Sequence, residues 1–196
     1  MNRIKNHILK ETRIITRDEE AKIVDLLRIT EQGEVKSCFP DVADLVEVLA
    51  DTGMRLGEAL ELRNEDISFK KRFITVRVTK SSPRRVPMTR RVVAILKRRQ
   101  EAGQDKSFNL NDMQIRMAWS WVREQLGIED AGRLVLYSLR KTCVQRLVEA
   151  GVEPESIYGW LGYSLIPKAH RVSHLPLHKL IDAAEMLDAH QHVIPK

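Results

Sequence analysis

The sequence predicts a mainly α-helical domain with a small antiparallel β-sheet, an α+β fold. Apolar residues recur at the three- and four-residue spacing of amphipathic helices along most of the 196 residues. Residues 67–88 instead combine β-branched and aromatic residues with polar turns, which is typical of hairpin strands. Because 43% of the residues are hydrophobic, the chain can fill one core, and we predict a single main domain over residues 16–189.

Local signals place the helices of this domain in order. Thr16 and Glu19 form a capping-box pattern that begins the first helix, after a basic, polar linker over residues 1–15. An apolar stripe over residues 42–49 then indicates a helix facing the core, which Gly53 ends. Later helices are predicted to begin at five further sites: Thr89, Asn111 or Asp112, Ser138, Pro154 and Pro176. Residues 190–196 are predicted to form a polar tail.

The sheet is predicted from three short segments separated by polar turns. Residues 67–69 and 73–78 flank the turn Lys70-Lys71-Arg72, so they are expected to pair as a hairpin. A second turn over residues 80–83 precedes a third strand from Arg84 to Met88. The sheet therefore lies between the two halves of the helical sequence.

Two sequence boxes each place an arginine at the start of a predicted helix. Residues 52–58 read Thr-Gly-Met-Arg-Leu-Gly-Glu, and residues 136–142 read Leu-Tyr-Ser-Leu-Arg-Lys-Thr. A guanidinium group is a planar fork for anionic oxygens, and a helix N-terminus adds partial positive charge. Arg55 and Arg140 are therefore predicted to bind one phosphate together. The alternative is that both are surface arginines in ordinary ion pairs.

The positive charge of the chain is concentrated in one segment. The net charge is +6, and residues 63–99 contain 13 Lys and Arg against two acidic residues, so the remainder of the chain is net acidic. Such a segment indicates a surface for a polyanion such as nucleic acid. The alternative is a basic face that only meets solvent.

The two arginine boxes resemble those of a known family. Residues 52–60, with Leu62 and Asp66, look like the first arginine box of tyrosine recombinases, the phage-type integrases. Residues 136–151 resemble the second box, and Trp160-Leu161-Gly162 resembles the family's Leu-Gly-His segment. The likeness runs from about residue 16 to residue 188. It implies the fold of the tyrosine recombinase catalytic domain, a DNA breaking-rejoining enzyme.

The resemblance also implies roles for individual residues. In this family a tyrosine hydroxyl attacks the DNA phosphate, two arginines hold the phosphate, and a lysine protonates the leaving oxygen. Arg55 and Arg140 match the two arginines, Lys80 stands where the lysine is expected, and Glu58 fits a supporting acid. Further DNA contacts are expected from four basic residues: Arg77, Arg84, Arg85 and Lys141.

Three positions depart from the family pattern. Tyr137 stands where the second box usually has histidine, and Tyr163 replaces the histidine of Leu-Gly-His. A phenol titrates near pH 10, so Tyr163 cannot act as a base at neutral pH as an imidazole does. Val172 stands at the position of the nucleophilic tyrosine, two residues before the expected His174. A valine has no hydroxyl and forms no phosphoester.

The leading hypothesis is a DNA-binding integrase homologue, associated with site-specific recombination or integration of mobile DNA, that has lost strand cleavage. One alternative is an active recombinase that uses a displaced tyrosine, Tyr163 or Tyr158. Another is a protein-interaction or regulatory module, because the helix from Pro176 to Asp188 resembles the segment that docks on a neighbouring recombinase subunit. The expected partner is double-stranded DNA, with a homo-oligomer formed on it through that helix.

No cofactor, metal or small-molecule ligand is expected. His170, His174 and His178 are spaced by four residues, but Pro176 interrupts the helix that such a metal site would need. Cys38 and Cys143 do not suggest a disulfide framework, and Cys143 lies on an apolar helical face. Because the sequence shows neither a signal peptide nor a long apolar run, we expect a cytoplasmic protein.

Overall fold

The computed structural model describes residues 13–28, 39–77, 83–128, 134–162 and 175–192, and these contain eight α-helices and one small sheet. The helices are α1 (Arg17–Arg28), α2 (Phe39–Thr52), α3 (Leu56–Leu60), α4 (Arg90–Glu101), α5 (Asp112–Gln125), α6 (Tyr137–Glu149), α7 (Pro154–Leu161) and α8 (Leu177–His192). The strands are β1 (Ile67–Ser68), β2 (Phe73–Val76) and β3 (Arg84–Pro87). The predicted fold class, mainly α with a small antiparallel β-sheet, is confirmed.

Side-chain caps begin several helices where the sequence predicted them. The Thr16 hydroxyl accepts from Glu19 N at 3.2 Å, while Thr16 N donates to the Glu19 carboxylate at 3.0 Å. Thr89 accepts from Val92 N at the start of α4, and Asn111 begins α5. These caps satisfy amide groups that a helix leaves unpaired at its N-terminus.

The start of α6 differs from the prediction. The helix begins at Tyr137 with Leu136 as its N-cap, so Ser138 lies inside the first turn and is not the cap. Its hydroxyl instead accepts from Val135 N at 3.2 Å, upstream of the helix. The serine therefore stabilises the approach to the helix, which sequence spacing alone did not distinguish from an N-cap.

The three strands form an antiparallel sheet in the order β1-β2-β3. Ile74 and Val86 are paired neighbours and are both fully buried, whereas Thr75 and Arg85 face the other side. This alternation follows from the pleat, in which successive side chains point to opposite faces. One face of the sheet thus packs on the core and the other carries polar and basic side chains.

Helix α2 is the central helix of the domain and packs against α1, α4 and α6. Eleven of its 14 residues are buried, including Asp44, Asp51 and Thr52. On the far side, Cys143 of α6 is fully buried and donates to Asp51 O at 3.3 Å, and burial raises the pKa of its thiol to about 12. The predicted buried thiol is confirmed.

The last helix, α8, packs on its own domain against α6, α7 and β3. Its buried residues include Leu180 and Leu187, and Asp188 accepts from Arg90 N at 3.0 Å, the first amide of α4. The helix continues through His192, and the polar tail expected at 190–196 stays a prediction. A contact with another subunit through this helix stays a prediction.

Candidate functional site

The first arginine box forms the turn from α2 into α3. Gly53 has φ +60°, which suits a residue without a Cβ, and an added Cβ would lie 2.8 Å from Leu161 Cδ2. Arg55 is the N-cap of α3 in an extended conformation, with its side chain 44% exposed. Its backbone N and its Nη1 donate to the two oxygens of Glu58, each at 2.8 Å. Glu58 thus holds both ends of Arg55.

The second arginine box brings Arg140 to the same turn. Arg140 lies in the first part of α6 and is only 3% exposed. Its Nη1 donates to Gly53 O, two residues before Arg55 in the chain, and its Nη2 donates to Leu161 O at 2.8 Å. Two boxes that lie far apart in the sequence therefore meet in the fold. Here Arg55 and Arg140 together are called the arginine pair.

A further buried arginine, Arg84, pairs with Glu58. Arg84, on the inward face of β3, donates to both carboxylate oxygens of Glu58 at 2.9 and 2.6 Å and to Trp160 O at 3.1 Å. Arg84 was predicted to contact DNA, but only 6% of its side chain is exposed in the structure. The sequence offered one signal, the alternation of strand faces, which separates Arg84 from the exposed Arg85.

The Glu58 carboxylate is strongly stabilised in its charged form. Burial alone would raise its pKa, but hydrogen bonds and charge from Arg84, with further bonds from Arg55, lower the pKa to about 2. A lowered folded-state pKa stabilises the protein above the ordinary value of 4.5, and this stabilisation is lost as the pH falls towards 2.

We therefore predict a pH-dependent effect of Glu58→Gln. At neutral pH the substitution lowers the free energy of unfolding, and the difference from wild type shrinks as the pH falls from about 4.5 to about 2, because wild-type Glu58 then becomes protonated. Urea denaturation of both proteins at a series of pH values measures this. A difference that stays constant down to pH 2 contradicts the assigned ion pairs.

The basic segment is largely neutralised within the domain. Among the described residues, seven of its 13 cations pair with carboxylates: Arg63, Arg72, Arg77, Arg84, Arg91, Arg98 and Arg99. Arg77, an expected DNA contact, is 54% exposed but pairs with Glu65 at 3.1 Å and Asp66 at 2.5 Å. The sequence count therefore overstates the positive charge that is available to a polyanion.

Five exposed cations of this segment have a side chain without a carboxylate partner in the part of the chain that the structure describes: Lys70, Lys71, Arg85, Arg90 and Lys97. Arg85 lies over the Phe73 ring, with Cζ 5.2 Å from its centroid, on the outer face of the sheet. Lys70 and Lys71 lie in the β1–β2 turn, which the sequence predicts as a turn but which was not among the expected DNA contacts. By contrast Lys141, which was proposed, is buried at 5% exposure.

The structure describes only some of the tyrosine and valine positions that differ from the family pattern. Tyr137, the first residue of α6, is 49% exposed and precedes Arg140 by three residues, which places both on one side of the helix. Tyr158 is half-buried in α7 and packs against the core. Lys80, Tyr163 and Val172 lie outside the described residues, so their predicted roles stay predictions.

The described residues also bear on other classes of protein. They contain no group of three or more His, Cys, Asp or Glu side chains placed to hold a metal ion, and the predicted non-metal histidines His170 and His174 lie outside them. No helix in the ranges described combines the length and the apolar character needed to cross a membrane.

Several solved structures share this fold. The XerA recombinase has a TM-score of 0.59 at 22% identity, over 94% of this chain and 67% of that chain. The integrase from mycobacterium phage Brujita has a TM-score of 0.60 at 19% identity, over 90% and 58%. XerH site-specific recombinase, bound to its difH substrate in a pre-cleavage complex, has a TM-score of 0.63 at 17% identity, over 90% and 54%.

This chain spans about three fifths of the length of the Tn1549 transposon integrase, another structural neighbour, which is solved with circular intermediate DNA. A search of curated protein sequences finds no match. The model of the phage integrase family, however, matches residues 13–174, which include both arginine boxes and most of the domain. The chain therefore belongs to the phage integrase family, the tyrosine recombinases.

Proposed function

We propose that this protein binds double-stranded DNA as part of a recombination or integration system of mobile DNA, and that it does not itself cut a strand. The observation that carries the proposal is an arginine pair assembled in the fold beside a sequence that has Val172 at the nucleophile position. Family membership supports DNA as the partner, and structural neighbours such as XerH are solved on DNA.

The contacts of the arginine pair support phosphate binding. Glu58 fixes the backbone and one terminal nitrogen of Arg55, while 44% of the side chain stays exposed to a ligand. Arg140 is fixed by Gly53 O and Leu161 O, so its position does not depend on DNA. Preorganised guanidinium groups bind phosphate strongly, because little side-chain entropy is lost on binding.

Exposed cations of the sheet also support contact with a duplex. Arg85 on the outer face of the sheet and the turn residues Lys70 and Lys71 are exposed cations without a carboxylate partner among the described residues. Cations of this kind release counterions from DNA when they approach its phosphates. They give affinity without sequence preference, whereas the choice of a target site requires contacts to base edges.

Loss of cleavage follows from the chemistry that the reaction requires. Transesterification forms a phosphotyrosyl bond and releases a 5′ hydroxyl, so it needs a nucleophilic oxygen in line with the leaving oxygen. Val172 supplies none. Tyr163 would have to attack from a different place, and displacements of about 1 Å already slow such reactions strongly. We therefore favour a binding or regulatory role over an active recombinase.

We predict that the wild-type protein binds DNA but forms no covalent adduct. Random duplex is retarded in native gels with an affinity that falls as salt rises, because phosphate contacts displace counterions. Nicked suicide duplexes carrying a randomised core, analysed on denaturing gels, show no protein–DNA band. A covalent band that disappears on Tyr163→Phe contradicts the proposal and favours an active recombinase. Absent or salt-insensitive binding favours the protein-interaction alternative.

A further inference from the structure

Arg84 is a buried side chain with three fixed hydrogen bonds to two other elements. Its Nη1 and Nη2 donate to the two oxygens of Glu58 in α3, at 2.9 and 2.6 Å. Its Nε donates to Trp160 O in the last turn of α7, at 3.1 Å. All three guanidinium nitrogens of Arg84 therefore already donate to oxygen atoms of the domain.

The Arg84 side chain is also closely packed against the end of α7. Gly162, which ends α7 with φ +70°, packs directly on it: an added Cβ at Gly162 would lie 2.7 Å from Arg84 Cδ and 3.2 Å from Nε. A side-chain Cβ at that distance is not tolerated without movement. The aliphatic part of Arg84 is thus packed against Gly162 while its planar end is paired with a carboxylate.

Arg84 and Arg55 share the Glu58 carboxylate. Oε1 accepts from both Arg84 Nη1 at 2.9 Å and Arg55 Nη1 at 2.8 Å, while Oε2 accepts from Arg84 Nη2 and Arg55 N. Glu58 is only 3% exposed, so water does not hold its carboxylate in place. The orientation of the exposed Arg55 side chain consequently depends on an anion whose own orientation Arg84 determines.

We propose that Arg84 is a positioning residue for DNA-phosphate binding: it orients Glu58, and through Glu58 it orients the guanidinium of Arg55, without touching DNA itself. The inference rests on the proposed function and deepens it. It replaces the expectation that Arg84 contacts DNA directly.

The last turn of α7 connects this arrangement to the other member of the arginine pair. Trp160 O accepts from Arg84, and the adjacent Leu161 O accepts from Arg140. Carbonyl groups in the last turn of a helix lack helical partners and carry partial negative charge, so they are natural acceptors for guanidinium groups. The Trp160 indole also donates to Thr52 O at 2.7 Å. The last turn of α7 therefore binds both Arg84 and Arg140, and through Thr52 it also contacts the first arginine box.

The decisive variants are Arg84→Lys and Glu58→Gln, each alone and combined with Arg55→Ala, assayed for affinity to random duplex by fluorescence anisotropy. Arg84→Lys keeps the charge but loses the fork, so we expect a loss of about tenfold, the size of one charge-assisted hydrogen bond. Glu58→Gln removes a negative charge, which on overall electrostatics would strengthen DNA binding; the positioning role predicts weaker binding instead.

The combined variants separate positioning from direct contact. If Arg84 acts through Arg55, then Arg84→Lys causes no further loss in the Arg55→Ala background. An equal loss in both backgrounds means that Arg84 touches DNA, and this overturns the inference, as does unchanged affinity of Arg84→Lys and Glu58→Gln. If Arg84→Lys is not folded, Arg84→Gln is measured in the same two backgrounds, because Glu58→Gln tests only the contact between Glu58 and Arg55.

A matched control tests for a merely structural effect. Arg99 in α4 is similarly buried, with 9% of its side chain exposed, and pairs with Asp41 and Asp44. We expect Arg99→Lys to lower the melting temperature while leaving DNA affinity unchanged. If Arg55→Ala binds DNA as tightly as wild type, the proposed phosphate contact of Arg55 is wrong. If Arg55→Ala binds DNA more weakly but Arg84→Lys and Glu58→Gln do not, only the positioning role of Arg84 is wrong.

Discussion

Val172→Tyr is expected to turn a protein that makes no covalent adduct into one that links to DNA. The added hydroxyl supplies the missing nucleophile at the position that the family pattern assigns to it. Nicked suicide duplexes with a randomised core, in which the released strand diffuses away, trap the adduct for detection on denaturing gels. The band is expected only with tyrosine, and it is expected to disappear when Arg55→Ala is added.

Val172→Phe is the matched control, since it adds the ring without the hydroxyl. No adduct from Val172→Tyr, under conditions where the protein binds the same duplex, contradicts the assignment of residue 172 as the lost nucleophile. The amount of adduct that forms is expected to be small. Tyr163 replaces the imidazole usual at its position, and a phenol does not assist proton transfer at neutral pH.

Arg91→Met is expected to lower the free energy of unfolding by about 3 kcal/mol or more, the cost of removing one partner from a buried ion pair. Arg91 of α4 donates to both oxygens of Asp51, one at 3.1 Å, and to Glu20 at 2.5 Å. Asp51 is fully buried and Glu20 is 3% exposed. The substitution leaves their charges with fewer partners in the core, and urea denaturation at neutral pH measures the effect.

Arg98→Met on the same helix is the control for that experiment. Arg98 is 60% exposed and pairs with Asp44 at 2.5 Å. Because Arg98 is largely exposed and the buried Asp44 keeps Arg28 and Arg99 as partners, this variant is expected to unfold within about 1 kcal/mol of wild type. If the two substitutions lower the free energy of unfolding equally, the network of Arg91, Asp51 and Glu20, which joins α4, α2 and α1, has no special role. Because Glu20 also pairs with Arg146 of α6, the same network reaches the helix that carries Arg140.

Local signals in the sequence predicted most of the elements. Caps at Thr16, Thr89 and Asn111 and the proline at the start of α7 each depend on residues within one turn, so short-range rules suffice to find them. The β1–β2 pairing follows equally from alternation around a polar turn. Ser138 was the exception, because a serine inside the first turn and a serine at the cap look alike in sequence.

The partners of the charged residues were not predictable in this way. Arg84 meets Glu58 across 26 positions, and Arg72 meets Asp188 across 116. Such pairs form only once the helices pack, so a count of charges along the chain treats buried and exposed cations alike. The resemblance correctly identified the family. The fold adds contacts that the two boxes do not contain: Arg140 donates to the last turn of α7, and Arg55 shares Glu58 with Arg84.

The most direct test of the central claim is the salt dependence of binding to random duplex for wild type, Arg55→Ala and Arg116→Ala. Arg116 is a 77% exposed arginine of α5, so its removal changes the net charge by the same amount. We predict that Arg55→Ala binds about tenfold or more weakly at low salt, with a shallower dependence of affinity on salt, while Arg116→Ala stays close to wild type. Equal affinities and equal salt slopes for all three proteins would contradict a phosphate held by Arg55 and Arg140.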